Sequence, residues 1–401
     1  KAAQYIQKTN IKVAFVSTNS ISQGEQVGIL WNALFNKYNI KIHFAHSTFK
    51  WSNEARGMAA VFVVIIGFGN FDADVKLLYE YDDPKSEAHE TKVKNINPYL
   101  IEGGDIVILS KSSPICDVPK LIYGSKPVDA GNLFLTDLEK DELIKKEPDA
   151  KKYIKPILSA KEFLNGKFRW VLWLVDASPS DLQKLPLILE KVNNIKDFRL
   201  KSTKVSVQKQ AETPTLFSEI RQPKNNYILI PRHSSENRKY IPMGFFDPDY
   251  IVSDSCTALP NATLFHFGIL MSLMHMTWVR YVCGRIKSDF RYSNDIVYNN
   301  FPWPENPTER NVKQIEEKSQ QVLDARNDYP DSSLADLYDP LTMPPKLVKA
   351  HQELDKAVDL CYRSQPFVNE TKRIEFLFEL YSKYDSNLFT EEKEKKRKKK
   401  K

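Results

Sequence analysis

The sequence predicts an α/β chain in three parts: a short sheet closed by an antiparallel strand, a large mixed α/β segment, and a helical C-terminal region. Three observations carry that reading. Apolar runs at residues 11–17 (IKVAFVS), 40–45 and 59–68 (AAVFVVIIGF) surround one segment with helical spacing. Strand-like and helical stretches then follow one another without an internal repeat from residue 96 to residue 304. Beyond FPWP at 301–304, apolar residues fall at helical spacing again, up to residue 384.

Taken in order, residues 11–17 read as a buried strand, because the run is short and continuously apolar. Val27, Leu30, Trp31 and Leu34 then mark one face of a helix across 24–36. Residues 40–45 and 59–68 read as the second and third strands. Their link, residues 47–58, is too short for a helical crossover, so the two are expected to be antiparallel. Strand, helix, strand and antiparallel strand is how the sheet of a class I methyltransferase ends. Residues 71–94 are charged and turn-rich (EYDDPKSEAHETK) and predict a linker. In the mixed segment, strands are expected at 106–110, 169–175 and 227–231, and helices near 135–144 and 180–192. Residues 264–283 are apolar and Met-rich, yet His266, His275 and Arg280 interrupt them, which predicts a buried core helix rather than a membrane span. Helices are expected at 305–327, 345–363 and 372–384.

Bulk properties set limits on function. With 401 residues the chain is long enough for two or three domains. A hydrophobic content of 42% and a mean hydropathy of -0.45 suit a folded, soluble protein, and no apolar run reaches the roughly 20 residues a membrane helix needs. The polar, Met-less start, KAAQYIQ, carries no secretory signal and reads as a chain that begins inside a longer protein. The formal charge is +7, but residues 391–401 hold eight Lys/Arg against three Glu. Without them 50 basic residues face 48 acidic ones, so most of the basicity belongs to an expected disordered tail at 386–401. That tail either attracts phosphates non-specifically or is a solvated end. Cys116, Cys256, Cys283 and Cys361 form no CxxC pair and fit a reducing cytoplasm; neither they nor the seven His show metal spacing. His43 and His46 sit three apart in a strand-like run, which sends them to opposite faces.

Several tempting motifs fail. Gly67-Phe-Gly69 lacks the third glycine and following helix of a nucleotide loop. Asn97-Pro-Tyr99 and the run at 299–304 (NNFPWP) lack the consecutive prolines that stiffen the amine-binding motif of amino-methyltransferases, and read as turn or packing elements. No nucleophile elbow, phosphate loop or zinc motif is present.

Three stretches fit DNA better. Phe49 and Trp51 flank Lys50 at the link between strands, followed by Asn53 and Arg56. Aromatics beside cations suit a flipped base, which stacks between such side chains; the other open reading is that they cap the sheet. Residues 231–245 (PRHSSENRKYIPMGF) gather Arg232, Ser235, Glu236, Asn237, Arg238 and Lys239. Arg, Asn and Glu are the types that address guanine, adenine and cytosine edges. Residues 284–294 (GRIKSDFRYSN) add Arg285, Lys287, Arg291 and Tyr292 as candidate phosphate contacts, with Asn294 placed to reach a base. A solvated charged face is the bland alternative for either stretch.

Several blocks together resemble the MmeI-like family of restriction–modification DNA methyltransferases. They are KAAQYIQ at 1–7, VAFVSTNSISQGEQV at 13–27, IHFAHSTFKW at 42–51 and YSNDIVYNNFPWP at 292–304, in the family's order. The resemblance implies an S-adenosylmethionine-dependent enzyme that methylates adenine N6 in double-stranded DNA. It implies that 1–88 are the last part of the methyltransferase domain, 89–304 the target recognition domain and 305–385 a helical C-terminal domain. Phe49 and Trp51 match the block that supports the flipped adenine, and Glu236 and Arg238 match a base-reading Glu-x-Arg element. In that family the cofactor loop and the Asn-Pro-Pro-Tyr/Phe motif lie upstream of the first residue here, so this chain alone is expected to be inactive. A different class stays open: a stand-alone DNA-specificity or interaction subunit with no enzymatic half.

Overall fold

The computed structural model describes residues 1–51, 61–81 and 86–398, with side chains described as far as residue 386. The N-terminal part opens with the short helix α1 (Ala2–Tyr5). It then builds a sheet from β1 (Val13–Thr18), β2 (Lys41–Trp51), β3 (Val61–Gly69), β4 (Lys76–Glu80) and β5 (His89–Val93), in the order β1-β3-β2-β4-β5. Helix α2 (Glu25–Tyr38) joins β1 to β2. It buries Val27 and Trp31, and Asn39 ends it in the left-handed conformation, returning its N–H to Leu34 and Phe35. β3 pairs antiparallel with both β1 and β2, as the short link predicts.

Three expectations for this sheet are corrected. The run at 11–17 forms β1, but as a largely exposed edge strand and not a buried one, with Phe15 and Val16 about half exposed. β2 does not stop at residue 45 but runs to Trp51, through register shifts at Ile42/Phe44 and His46/Phe49, so Phe49, Lys50 and Trp51 stand on the strand itself. The expected linker at 71–94 contains β4 and β5, which continue the sheet. Its charges misled because most of β5 is an exposed edge, where charged side chains are at home. Gly67 and Gly69 lie within β3; a Cβ on Gly67 would fall 2.0 Å from the Phe44 ring, so this glycine makes room for an aromatic and not for a nucleotide.

The mixed segment has two sheets and a small ribbon. β6 (Ile122–Tyr123), β10 (Tyr227–Pro231), β12 (Gly244–Phe246) and β14 (Cys256–Pro260) form the first, in the order β12-β10-β14-β6. β10 is buried along its whole length, as its apolar run predicts. The second sheet, β13-β8-β9-β7, is built from β7 (Phe134–Leu135), β8 (Ile154–Leu158), β9 (Arg169–Leu172) and β13 (Ile251–Val252). It packs with helices α3 (Asp137–Lys146), α4 (Ala160–Leu164), α5 (Pro179–Gln183) and α6 (Pro186–Leu200), and α7 (Val205–Lys209) lies against α6. β11 (His233–Ser234), β15 (Gly284–Ile286) and β16 (Asp289–Arg291) make the ribbon.

Three local expectations give way here. Residues 106–110 are irregular, although Ile108 is fully buried. The helix expected at 180–192 breaks at Leu185–Pro186 into α5 and α6. The stretch 264–283 forms two helices, α8 (Leu264–Leu270) and α9 (Leu273–Val282), because the Ser272 side chain caps the second. Asn97 closes a turn by accepting from the Tyr99 and Ile101 N–H groups, and Asn299 and Asn300 donate to the carbonyls of Lys111 and Leu109. Each amide thus has one of its two polar atoms committed to backbone, while Asn97 Nδ2, Asn299 Oδ1 and Asn300 Oδ1 are buried without a partner.

The C-terminal part comprises α10 (Glu309–Asn327), α11 (Leu334–Leu337), α12 (Pro345–Tyr362) and α13 (Glu370–Lys398). α13 continues past the expected end at 384, so the backbone of the expected disordered tail begins as helix; the side chains of 387–398 and all of 399–401 lie outside the described residues. One large core draws on all three parts, from Ala3 to Tyr381. The residues around β7, β8 and β9 close a second core of their own, between Leu133 and Ile251. Among the described residues no helix is long and apolar enough to cross a membrane, and no cluster of His, Cys, Asp or Glu is placed to hold a metal ion.

Candidate nucleic-acid interface

The two polar stretches lie about fifty residues apart in sequence and become neighbours in the fold. β11 leaves the buried strand β10 and pairs antiparallel with β16, matching His233 with Arg291 and Ser234 with Phe290. β16 pairs in turn with β15, matching Arg285 with Phe290. The turn after β11 is tied to this ribbon, since the Glu236 N–H donates to Asp289 (3.3 Å) and the Arg238 N–H to the Ser235 carbonyl (3.2 Å). Ser235 Oγ accepts from the Asn237 N–H at 3.3 Å, which shapes the turn locally. Arg232, Ser235, Glu236, Asn237, Arg238, Lys239, Arg285, Lys287 and Arg291 are thus presented on one small scaffold.

The ribbon faces the N-terminal sheet across two adjoining clefts of about 910 and 770 Å³, which share Asn19, Gln23, Phe62, Arg285 and Ser288. Arg232, Lys287 and Arg291 line the first, with Tyr123 from β6; Glu236, Asn237 and Arg280 line the second, opposite Thr48 and Lys50 of β2. Tyr123 and Arg280 were not singled out from the sequence: a two-residue strand and an arginine inside an apolar helix carry no local signature of a site.

The arginines are held in place while their charge stays unanswered. Arg232 lies over the Tyr123 ring at 4.7 Å and donates to the Asp254 carbonyl at 2.9 Å. Arg285 stacks on Phe290 at 3.9 Å and donates to the carbonyls of Ser288 and Arg280. Arg238 makes one long contact, 3.4 Å, to Ser234 Oγ. The Nε atoms of all three are buried without a partner. Burial lowers the pKa of Arg238 and Arg285 from the ordinary arginine value, partly offset by nearby charges such as Asp289. Among the described residues no carboxylate forms an ion pair with any of the three. Partly buried guanidinium groups whose Nε lacks a partner, and whose other contacts are to carbonyls or a hydroxyl, are prepared to meet an external acceptor or anion. His233 stays below the usual imidazole range through burial and the adjacent Arg232 and Arg291.

Two expected contacts are corrected. Tyr292 is fully buried, its hydroxyl bonded to His275 Nε2 at 3.0 Å, and Asn294 is buried with its amide donating to the Leu121 carbonyl. Both side chains belong to the core and do not reach a ligand. Lys239 is exposed beside Tyr240, 5.6 Å from its ring. On β2, Phe49 and Trp51 occupy the face opposite Lys50. Phe49 stacks on Tyr81 at 5.2 Å, the Tyr81 hydroxyl meets His46 Nδ1 at 2.8 Å, and Trp51 is about half exposed. Asn53 and Arg56 lie outside the described residues.

The ribbon and the N-terminal part touch through backbone. The Gly24 N–H donates to the Val282 carbonyl at 3.1 Å, Gly24 has φ 61°, and a Cβ on it would fall 2.8 Å from the Gly284 Cα. Gly24→Ala is therefore expected to lower stability by about 1–3 kcal/mol from backbone strain alone, and also to push the ribbon off the sheet. Thermal melting together with affinity for a DNA duplex checks this; a variant with unchanged values for both would show that the contact is dispensable.

The chain is similar to known proteins along most of its length. Residues 1–80 match the family description "MmeI, DNA-methyltransferase domain", residues 102–305 "MmeI, target recognition domain", and residues 307–389 "MmeI, C-terminal domain". A curated relative, DNA methyltransferase A of Bacillus subtilis (strain 168), is 45% identical over 379 residues, which cover 94% of this chain and 42% of that protein. A solved structure of the type IIL restriction–modification enzyme MmeI in complex with DNA superposes with a TM-score of 0.87 at 49% identity, covering 96% of this chain and 51% of that one. The chain spans about half the length of these relatives or less.

Proposed function

Because the chain belongs to the MmeI family of restriction–modification proteins, we propose that it is the sequence-reading portion of a DNA methyltransferase that acts on adenine N6. Double-stranded DNA lies along the paired clefts. Lys50, Lys239, Lys287 and Arg291 meet phosphates, which fix register without reading sequence. Glu236 and Arg238 read a base pair, with Arg232, Ser235, Asn237 and Arg285 beside them. The single observation that carries this reading is the ribbon, which brings two distant polar stretches together and leaves arginines with a buried, unpartnered Nε and, among the described residues, no ion-paired carboxylate. Phe49, held by Tyr81, and Trp51 support the adenine once it is turned out of the duplex.

The proposed methyl donor is S-adenosylmethionine, and the described residues do not fit it. The glycine pair in β3 is filled by the Phe44 and Phe71 rings, and no glycine-rich turn opens onto a helix there. In this reading the cofactor is held by the part of the full-length protein that corresponds to the length of the relatives this chain does not span. The edge of the sheet favours this reading over a stand-alone specificity subunit. β1 lies at that edge with Phe15 and Val16 about half exposed, a surface that further sheet would cover.

Binding to a pool of random duplexes at two salt concentrations, with the bound molecules sequenced, tests the proposal. One short motif that stays enriched at the higher salt is the expected result. Sequence-blind binding that disappears with salt would overturn it, because phosphate attraction alone behaves that way.

A further inference from the structure

Residues 239–243, directly after the reading turn, are held at three points, two of them by helices of the C-terminal part directly and one through Arg280 of α9. The Lys239 carbonyl accepts from Arg280 (3.2 Å), which is itself ion-paired to Glu370 of α13. The buried Tyr240 ring stacks on His351 of α12, 4.0 Å between centroids and 18° from parallel, and its hydroxyl donates to Asp355 Oδ2 at 2.6 Å. The other Asp355 oxygen accepts from the Leu273 N–H, at the start of α9, at 2.7 Å. The Met243 carbonyl accepts from Arg326 of α10 at 2.7 Å. Arg326 also donates through Nε to the Tyr338 hydroxyl, which pairs with His351 Nε2, both at 2.8 Å. α10, α12 and α13 thus each contribute to the grip on one five-residue segment, through groups that are mostly buried and mutually bonded.

We infer that the helical C-terminal part sets the sequence preference of the recognition turn, with Tyr240, Asp355 and Arg326 as positioning residues that aim Glu236 and Arg238. The inference rests on the reading of those two side chains as base contacts. A turn of four residues has little rigidity of its own, and a misplacement of about an ångström is enough to spoil a directional contact. The bonds at Tyr240 and Met243 remove that freedom without touching the ligand.

The test uses the full-length polypeptide. Its enriched DNA site is first defined from random duplexes, and affinities are then measured for that site and for each single-base variant. Tyr240→Phe removes one hydroxyl and keeps the ring stack. It is expected to narrow the gap between the enriched site and its variants about tenfold, at the base pair that Arg238→Ala also relaxes. Arg326→Lys, which keeps the charge but loses the two-pronged reach, is expected to relax the same position. Ile374→Val thins the same helical core without removing a hydrogen bond, and is expected to lower melting temperature with unchanged ratios. Wild-type ratios in both Tyr240→Phe and Arg326→Lys would overturn the inference while leaving the DNA-reading proposal intact. A loss spread evenly over all positions, in step with melting temperature, would overturn it too. A wild-type protein that enriches no motif would overturn both.

Discussion

Arg238→Ala in the full-length polypeptide is expected to cost about 1–3 kcal/mol of discrimination at one base pair, roughly five- to 150-fold, and to leave the other positions of the site as they were. The argument is one of solvation. Arg238 has given up part of its water on folding, and among the described residues its side chain has one hydrogen bond, a long one of 3.4 Å to a serine hydroxyl. Its Nε is buried without a partner. A base edge with two acceptors matches the guanidinium fork, and a wrong base leaves the fork unpaired at a cost. Lys287→Ala is the contrast. Lys287 is exposed at the tip of the ribbon, and its loss should weaken all sequences alike and reduce the salt slope by about one. Equilibrium binding to the enriched site and its single-base variants at several salt concentrations separates the two patterns. Unchanged discrimination in Arg238→Ala would remove this residue from the reading set.

Arg199→Leu is expected to be the most destabilising single change outside the interface, by about 3–5 kcal/mol. Arg199 is 1% exposed and, among the described residues, meets no carboxylate within ion-pair distance. Burial lowers its pKa, with Asp129 working the other way. Its guanidinium instead donates to five backbone carbonyls: Pro127 (3.0 Å), Val128 (3.0 Å), Gln210 (2.9 Å), Thr213 (3.1 Å) and Leu216 (2.8 Å). One side chain on α6 thereby fastens two separate loops to the second core. Leucine fills a similar space but leaves five acceptors facing inward, each costing up to a few kcal/mol unless water reaches it. A single ammonium cannot span such divergent acceptors, so Arg199→Lys should recover less than half of the loss. Urea denaturation of both variants measures it, and a loss below about 1 kcal/mol in Arg199→Leu would show that water replaces the guanidinium.

Much of this architecture was legible because local pattern and burial agree. The run at 227–231, the α2 spacing and the antiparallel close of β2 on β3 each follow from residues that are near neighbours in sequence; the run at 11–17 gives the strand but not its burial, because β1 stands at the sheet edge. The sheet was expected to end too early because an edge strand needs no apolar run, and β5 is charged for that reason. The break between α8 and α9 turns on one hydroxyl, Ser272, set between apolar runs at 267–271 and 273–274. At the candidate site the residue types were readable, but their assembly was not: the pairing of β11 with β16 joins segments that no local spacing connects. The burial of Tyr292 did leave a sign. Asp289, Phe290, Arg291 and Tyr292 alternate between polar and aromatic, and the structure exposes the first and third and buries the others. Arg199 left none, since its acceptors are all main-chain carbonyls.

The close approach of Gly24 to Gly284 acts as a ruler. Where two parts of a protein meet through side chains, substitution changes the thickness of the joint; here the spacing is that of bare main chain, fixed by one N–H to carbonyl bond. Exchange of Glu236 or Arg238 should then rewrite which letters are read without altering how many base pairs separate them from the adenine proposed for methylation. Mapping the modified position in reader variants of the full-length protein gives that offset directly, and it should be the same number in every one.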